Sequence, residues 1–254
     1  MSLRAFLLSL AYLSMNGGNF QQSDLNATEY PVPLQWKRLA SLPDKEAFAA
    51  MFAGVSNGRL IAAGGANFPD KRPWEGGTKV WYDTVYVMDT PSSEWKTAGK
   101  LPDPTAYGVS VTTADGVVCI GGSDSKQHKR DVFLMSIKDR TLDFKPLPPL
   151  PKPCANMCGA RATDFIYIAG GSETPDATNA LHTFWALNLN AIKKGWLKLE
   201  PWPGPARILA TAGALDGSFY LIGGAGLKPG ADGKPVREWY KDVYRYTPGK
   251  GWER

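Results

Sequence analysis

The chain has 254 residues, a net charge of +5, 43% apolar and 11% aromatic side chains, with 27 glycines and 20 prolines. That much apolar and aromatic material builds a core rather than a disordered chain, and the glycine and proline density excludes helical bundles and coiled coils. Three cysteines exclude a disulfide-framework miniprotein and two histidines leave little for a metal centre, so an all-β fold of many short strands remains.

Met1–Arg4 carries one positive charge, and Ala5–Met15 is nearly all apolar before Asn16-Gly17-Gly18. Residues 1–18 read as a signal peptide, too short for a spanning helix and without an Ala-x-Ala cleavage site. The expected location is periplasmic or secreted. Residues 19–35 read as a polar leader, and no later segment is apolar enough to enter a bilayer.

From Trp36 onward a repeat accounts for the glycine. Apolar runs ending in a diglycine occur at Leu60–Gly65, Val117–Gly122, Phe165–Gly171 and Phe219–Gly224, their first glycines 57, 49 and 53 residues apart. Each is followed by a polar loop and an alternating strand, beginning at Thr84, Asp131, Thr183 and Asp242. A lone aromatic then closes each unit: Trp95, Phe144, Trp196 and Trp252. Proline-marked bends at Leu101-Pro102, Leu150-Pro151 and Trp202-Pro203 lead into the next unit. Four strands per period of about 50 residues, with diglycine and a late aromatic, predict a kelch-type β-propeller of four-stranded antiparallel blades. The blades fall at about 46–98, 105–146, 155–199 and 207–254, and residues 36–40 read as an orphan outer strand ahead of them. One unmatched strand and four blades predict a ring whose remaining strands lie beyond Arg254.

Antiparallel order sorts the loops. The turns before the diglycine strands are tight, as at Asn57-Gly58 and Asp216-Gly217. The loops after them are long: 66–83, 123–130, 172–182 and 225–241. Binding chemistry concentrates in long loops on a rigid scaffold, so these define the functional face.

Three of those loops are basic, carrying Lys71, Arg72 and Lys79, then Lys126, Lys129 and Arg130, then Lys228, Lys234 and Arg237; the third loop instead carries Glu173 and Asp176. A basic face attracts an anionic ligand. Net +5 and no recognised binding module argue against nucleic acid. Trp74 and Tyr107 offer apolar platforms for a sugar ring. Arg207, placed at the channel mouth, offers a planar fork for a carboxylate, the alternative being an arginine that ties blades together. His128 and His182 lack a cysteine or carboxylate at ligand spacing, so no metal site is expected. Cys154 and Cys158, four apart along a strand, are too distant to bond without a bend, and Cys119 reads as core.

The run from Gly64 to Val87, with Ala106–Ser110 and Pro203–Arg207, resembles the N-acetylneuraminate (sialic acid) mutarotase family, in its cyclically permuted branch. The resemblance covers roughly Trp36 to the C-terminus. It implies a six-bladed propeller that interconverts the anomers of free sialic acid, with no cofactor or metal. An acidic sugar is then expected at Arg207, Arg72, Lys79, Trp74, Asn67 and Tyr107, with no nucleic acid and no membrane span. Ring opening takes one group to remove the anomeric proton and another to protonate the ring oxygen. The family's acid–base glutamate directly follows a diglycine, with an arginine a few residues later, and none of the four loops matches. Glu173, two residues after Gly171, is the nearest candidate. The blade order puts the catalytic blade after Trp252. The other reading is a non-catalytic kelch module that binds an acidic glycan or a protein partner through the long-loop face.

Overall fold

Four diglycine strands become the second strands of four antiparallel blades. The computed structural model describes residues 36–44, 47–231 and 233–254, so the signal-peptide and leader segments lie outside the described residues. Blade 1 holds β1 (Phe52–Ser56) and β2 (Arg59–Ala63), a small hairpin β3 (Ala66–Asn67) with β4 (Val80–Trp81), then β5 (Thr84–Met88) and β6 (Lys96–Lys100). Blade 2 holds β7 (Val109–Thr113), β8 (Gly116–Ile120), β9 (Val132–Lys138) and β10 (Thr141–Pro146). Blade 3 holds β11 (Cys158–Ala162), β12 (Phe165–Ala169), β13 (Phe184–Asn188) and β14 (Trp196–Leu199). Blade 4 holds β15 (Thr211–Leu215), β16 (Ser218–Ile222), a hairpin β17 (Ala225–Pro229) with β18 (Pro235–Trp239), then β19 (Val243–Thr247) and β20 (Gly251–Glu253). Each main sheet runs in chain order, and the two hairpins stand apart from the blades as two-stranded flaps. Residues 36–42 carry no strand, where the repeat predicts an orphan outer strand. An outer strand needs a ladder, and among the described residues no strand pairs with it; Ala40 O instead accepts from the Trp95 indole at 3.0 Å.

The apolar runs are continuous because a blade is covered on both faces. Along β8 every residue is buried: Val117 and Cys119 pack towards Phe52, Ile61 and Val85 of blade 1, while Val118 and Ile120 pack towards Ile166 and Ile168 of blade 3. On the other side of β12, Tyr167 and Ala169 meet Phe219 and Leu221 of blade 4. The inner strands β1 and β7 are also joined by hydroxyls: Ser110 Oγ and Thr112 Oγ1 accept from the backbone N–H groups of Ala53 and Val55.

The late aromatics work as hooks as well as fillers. The indole N–H of Trp196 donates to Pro148 O, and that of Trp252 to Glu200 O, each at 2.9 Å. Each acceptor lies in the bend that precedes the aromatic's own blade, so one ring fills the interface and fastens the linker. Phe144 has no N–H to give and packs edge-on against Phe133 instead. At Asn57-Gly58 both turn residues take positive φ (48° and 75°), the two-residue hairpin geometry that the pair predicts.

All three cysteines are free and buried. Burial pushes the thiol of Cys158 up to about 12 and those of Cys119 and Cys154 higher still. The native protein is therefore expected to leave a disulfide reagent unreduced at pH 8, and to titrate three thiols once denatured in guanidinium. Rapid reaction of any one without denaturant would show that its blade opens.

Candidate functional site

One residue at the head of each inner strand sets the rim of the long-loop face. Ala50, Tyr107, Asn156 and Leu209 each lie two residues before β1, β7, β11 or β15, and each takes a left-handed φ between 56° and 64°. The N–H of Tyr107 donates to Ala50 O (3.1 Å), that of Asn156 to Tyr107 O (2.9 Å), and that of Leu209 to Asn156 O (2.8 Å). Left-handed backbone costs about 1–2 kcal/mol per non-glycine residue. It persists here because each strained residue makes a backbone hydrogen bond to the rim residue of a neighbouring blade. The residues before them (Ala49, Ala106, Ala155 and Ile208) form single bridges to Ala66, Ser123, Ser172 and Ala225, which ties every rim residue to its own long loop. Repeat phase alone contains this signal, since all four rim residues share one position in the unit.

On the blade 1 side the rim meets the β3–β4 flap. Lys79, just ahead of β4, donates from Nζ to Tyr107 Oη at 2.7 Å. The same ammonium lies 4.6 Å from the Tyr107 ring centre, 5.4 Å from that of Trp81 and 5.5 Å from that of Phe68. Three rings around one ammonium hold it by cation–π attraction, about 0.5–2 kcal/mol per contact according to desolvation. The Trp81 indole reaches Ser123 Oγ of blade 2 at 3.4 Å. Asn67, opposite Val80 in the flap, accepts from Tyr82 Oη at 2.8 Å, and its amide nitrogen is buried with no partner among the described residues. Lys79, Tyr107 and Asn67 thus gather around one flap. Arg72 and Trp74 stack on each other at 5.5 Å at the flap tip, where Trp74 is 75% exposed. No hydrogen bond or ring contact among the described residues joins them to Lys79.

Arg207 lies elsewhere and does something else. The expectation of a fork open at the channel mouth is corrected: Arg207 is wholly buried, and its guanidinium is taken by Asp242. Nη1 donates to Asp242 Oδ1 at 2.6 Å and to Gly223 O at 2.8 Å; Nη2 donates to Asp242 Oδ2 at 3.1 Å. Trp202, Tyr240 and Tyr244 ring the cation at 5.4, 4.9 and 5.3 Å. Its carbonyl meanwhile accepts from Gly171 N of blade 3. Arg207 therefore ties blade 3 to blade 4, the blade-tying alternative of the sequence reading. Burial alone would raise the Asp242 pKa, but the hydrogen bonds from Arg207 and Tyr244 and the arginine charge hold it below the ordinary carboxylate range.

Much of the basic face is paired off in the same way. Lys129 is buried, with Nζ on Thr105 Oγ1 at 3.0 Å and the carboxylates of Asp124 and Asp103 at 3.7 and 3.8 Å. Arg130 donates to Leu150 O, and Lys228 pairs with Glu238. Glu173, the nearest acid–base candidate, accepts from Lys152 at 2.7 Å. The two histidines serve their surroundings: His128 Nδ1 meets Ser172 O and His182 Nε2 meets Trp202 O, each at 2.9 Å. Burial holds the His128 pKa below its ordinary value, with Ser172 and two carboxylates opposing. Among the described residues no group of three metal-ligating side chains forms. What stays available is a cation, a phenol and aromatic faces, a set that binds an anionic, ring-bearing ligand. No described carboxylate hydrogen-bonds Lys79 or Tyr107 to move a proton beside them.

A profile of the N-acetylneuraminate epimerase family matches residues 18–144, half of the chain. The N-acetylneuraminate epimerase of Vibrio cholerae is 31% identical, over 48% of this chain and 35% of its own. That of Brucella suis is 32% identical over 43% and 32%, and that of Yersinia enterocolitica 38% identical over 32% and 22%. The match thus spans about a third or less of the length of these curated relatives. The solved structure of YjhT superposes with a TM-score of 0.60 over 80% of this chain and 67% of that one; at 18% identity the likeness concerns the fold.

Proposed function

The chain belongs to the N-acetylneuraminate epimerase family, and from that premise we propose that its long-loop face binds a sialic acid-like sugar whose anomers the whole protein interconverts. The observation that carries the binding half is the convergence of Lys79, Tyr107, Trp81 and Phe68 at the rim. An ammonium held by rings and a phenol suits a carboxylated pyranose: the charge draws the anion to the rim, the ammonium and phenol offer donors to its oxygens, and the rings face the sugar's apolar side. In the reaction a base takes the proton of the anomeric hydroxyl while an acid protonates the ring oxygen; the ring C–O bond breaks, and reclosure on the other face reverses both transfers. The reading leaves that acid–base carboxylate unassigned: Glu173, the nearest candidate, is partly exposed and pairs with Lys152. Export to the periplasm or medium is part of the proposal and rests on Met1–Met15.

That same engagement of Glu173 favours a second reading for this chain taken alone, a non-catalytic blade set that binds the acidic sugar. NMR of N-acetylneuraminate mixed with the chain separates the readings. Saturation transfer from protein to sugar is expected. Anomer exchange above the spontaneous rate supports mutarotation, binding without acceleration supports the binding module, and no transfer at all overturns both.

Lys79→Met is expected to weaken N-acetylneuraminate binding roughly tenfold, the scale of a charge-assisted hydrogen bond. Tyr107→Phe, which removes only the phenol oxygen, is expected to cost about threefold. Titration calorimetry checks both, and a larger loss for Tyr107→Phe would shift the anchor from the cation to the phenol.

A further inference from the structure

On the β17–β18 flap, Arg237 is a basic side chain that the ion pairing described above does not engage. In its register Leu227 stands opposite Arg237, so Leu227, Pro235 and Arg237 share one face, while Lys228 and Glu238 pair on the other. The first face closes over a cavity of about 380 Å³ between blades 3 and 4. Its opposite wall carries the rim residue Asn156 with Ser172 and Thr174. Asn156 Nδ2 donates to Ser172 Oγ at 3.4 Å, which orients the amide along that wall. The volume lies within the small-ligand range of about 300–1,000 Å³. Arg207 has Asp242, Lys129 has Asp124 and Lys228 has Glu238; among the described residues Arg237 has no carboxylate within ion-pair distance. A guanidinium facing a cavity of neutral donors and acceptors supplies a planar fork that two oxygens of one carboxylate fill.

We propose that this cavity is a carboxylate subsite, in which Arg237 holds the acid group of the sugar and Asn156, Ser172 and Thr174 hydrogen-bond its neighbouring hydroxyl or amide groups. The inference rests on the acidic-sugar reading above and assigns the acid end to blade 4. Asn156 and Tyr107 are joined through the rim backbone, so a sugar anchored at Arg237 projects from the rim position next to that of Lys79 and Tyr107. Arg237 is the one cation among the described lining residues, which suits a singly charged carboxylate rather than a polyanion such as a phosphate.

Calorimetry with two probes tests it: N-acetylneuraminate and N-acetylmannosamine, an uncharged N-acyl sugar. Arg237 is exposed, so Arg237→Gln is expected to fold as the parent chain does, with the same thermal midpoint. It is expected to weaken N-acetylneuraminate binding about tenfold or more while leaving the neutral sugar unchanged, and Arg237→Lys, which keeps the charge but loses the fork, to recover part of the loss. Unchanged affinity of Arg237→Gln for the acid overturns the subsite and leaves the acidic-sugar reading standing. Equal loss for both sugars also overturns it, since the residue would then act on the flap. Failure of the parent chain to bind the acid overturns both.

Discussion

Arg207→Ala is expected to destabilise the propeller by about 3–5 kcal/mol, the range for stripping one partner from a buried ion pair. The loss arises less from the bond removed than from what is left behind: Asp242, about one tenth exposed, keeps a charge with one tyrosine hydroxyl to answer it. Guanidinium unfolding followed by tryptophan fluorescence measures it, because Trp202 sits against the guanidinium. The pH dependence has a definite sign. The folded Asp242 pKa lies below the unfolded value, so the pair's contribution is complete above the unfolded carboxylate range, near pH 4, and is lost as pH falls through the native pKa. The gap between parent and variant should therefore close on acidification below pH 4. Replacing both partners by apolar residues of similar volume, as in Arg207→Met with Asp242→Leu, should recover part of the stability. A single-variant loss below about 1 kcal/mol would mean that the pair sits in wetter surroundings than its burial indicates.

Gly170→Ala is expected to cost about 2 kcal/mol more than Gly223→Ala, although both are first glycines of a diglycine and both are left-handed, at φ 69° and 59°. The conformational penalty, about 1–2 kcal/mol, is common to the two. The difference lies in what surrounds them. A Cβ on Gly170 would stand 2.3 Å from the carbonyl oxygen of Arg207, backbone that cannot swing aside, whereas on Gly223 the nearest atom is Tyr240 O at 3.3 Å. Gly64 repeats the crowded case, with Thr105 O at 2.3 Å. Thermal unfolding of the two variants is the check. Equal losses would reduce the diglycine to a matter of φ alone and remove its part in bringing blades together.

The blades were legible because their determinants are local and repeated. Apolar runs buried on both faces, tight turns at Asn57-Gly58 and Asp216-Gly217, and hooks at Trp196 and Trp252 recur in phase, and phase is a one-dimensional property. The two flaps were not legible as strands. β3 and β4 have two residues each, too short for any alternation to show, and β17 and β18 are separated by a glycine-rich turn within what reads as a polar loop.

Charge behaved differently from pattern. The amino-acid order alone determined that a kelch propeller forms, where its long loops fall, and that those loops are basic, since each follows from neighbours along the chain. Tertiary structure alone decided which of those cations remain for a ligand. Arg207 and Asp242 are 35 residues apart, Lys129 and Thr105 are 24 apart, and Lys79 and Tyr107 are 28 apart. Pairing at such separations depends on how blades stack, because a charge in low dielectric is governed by the few groups within hydrogen-bond reach and not by the composition of its segment. Folding thus turned Arg207 and Lys129 into struts, kept Lys79 at the rim, and left Arg237 facing a cavity.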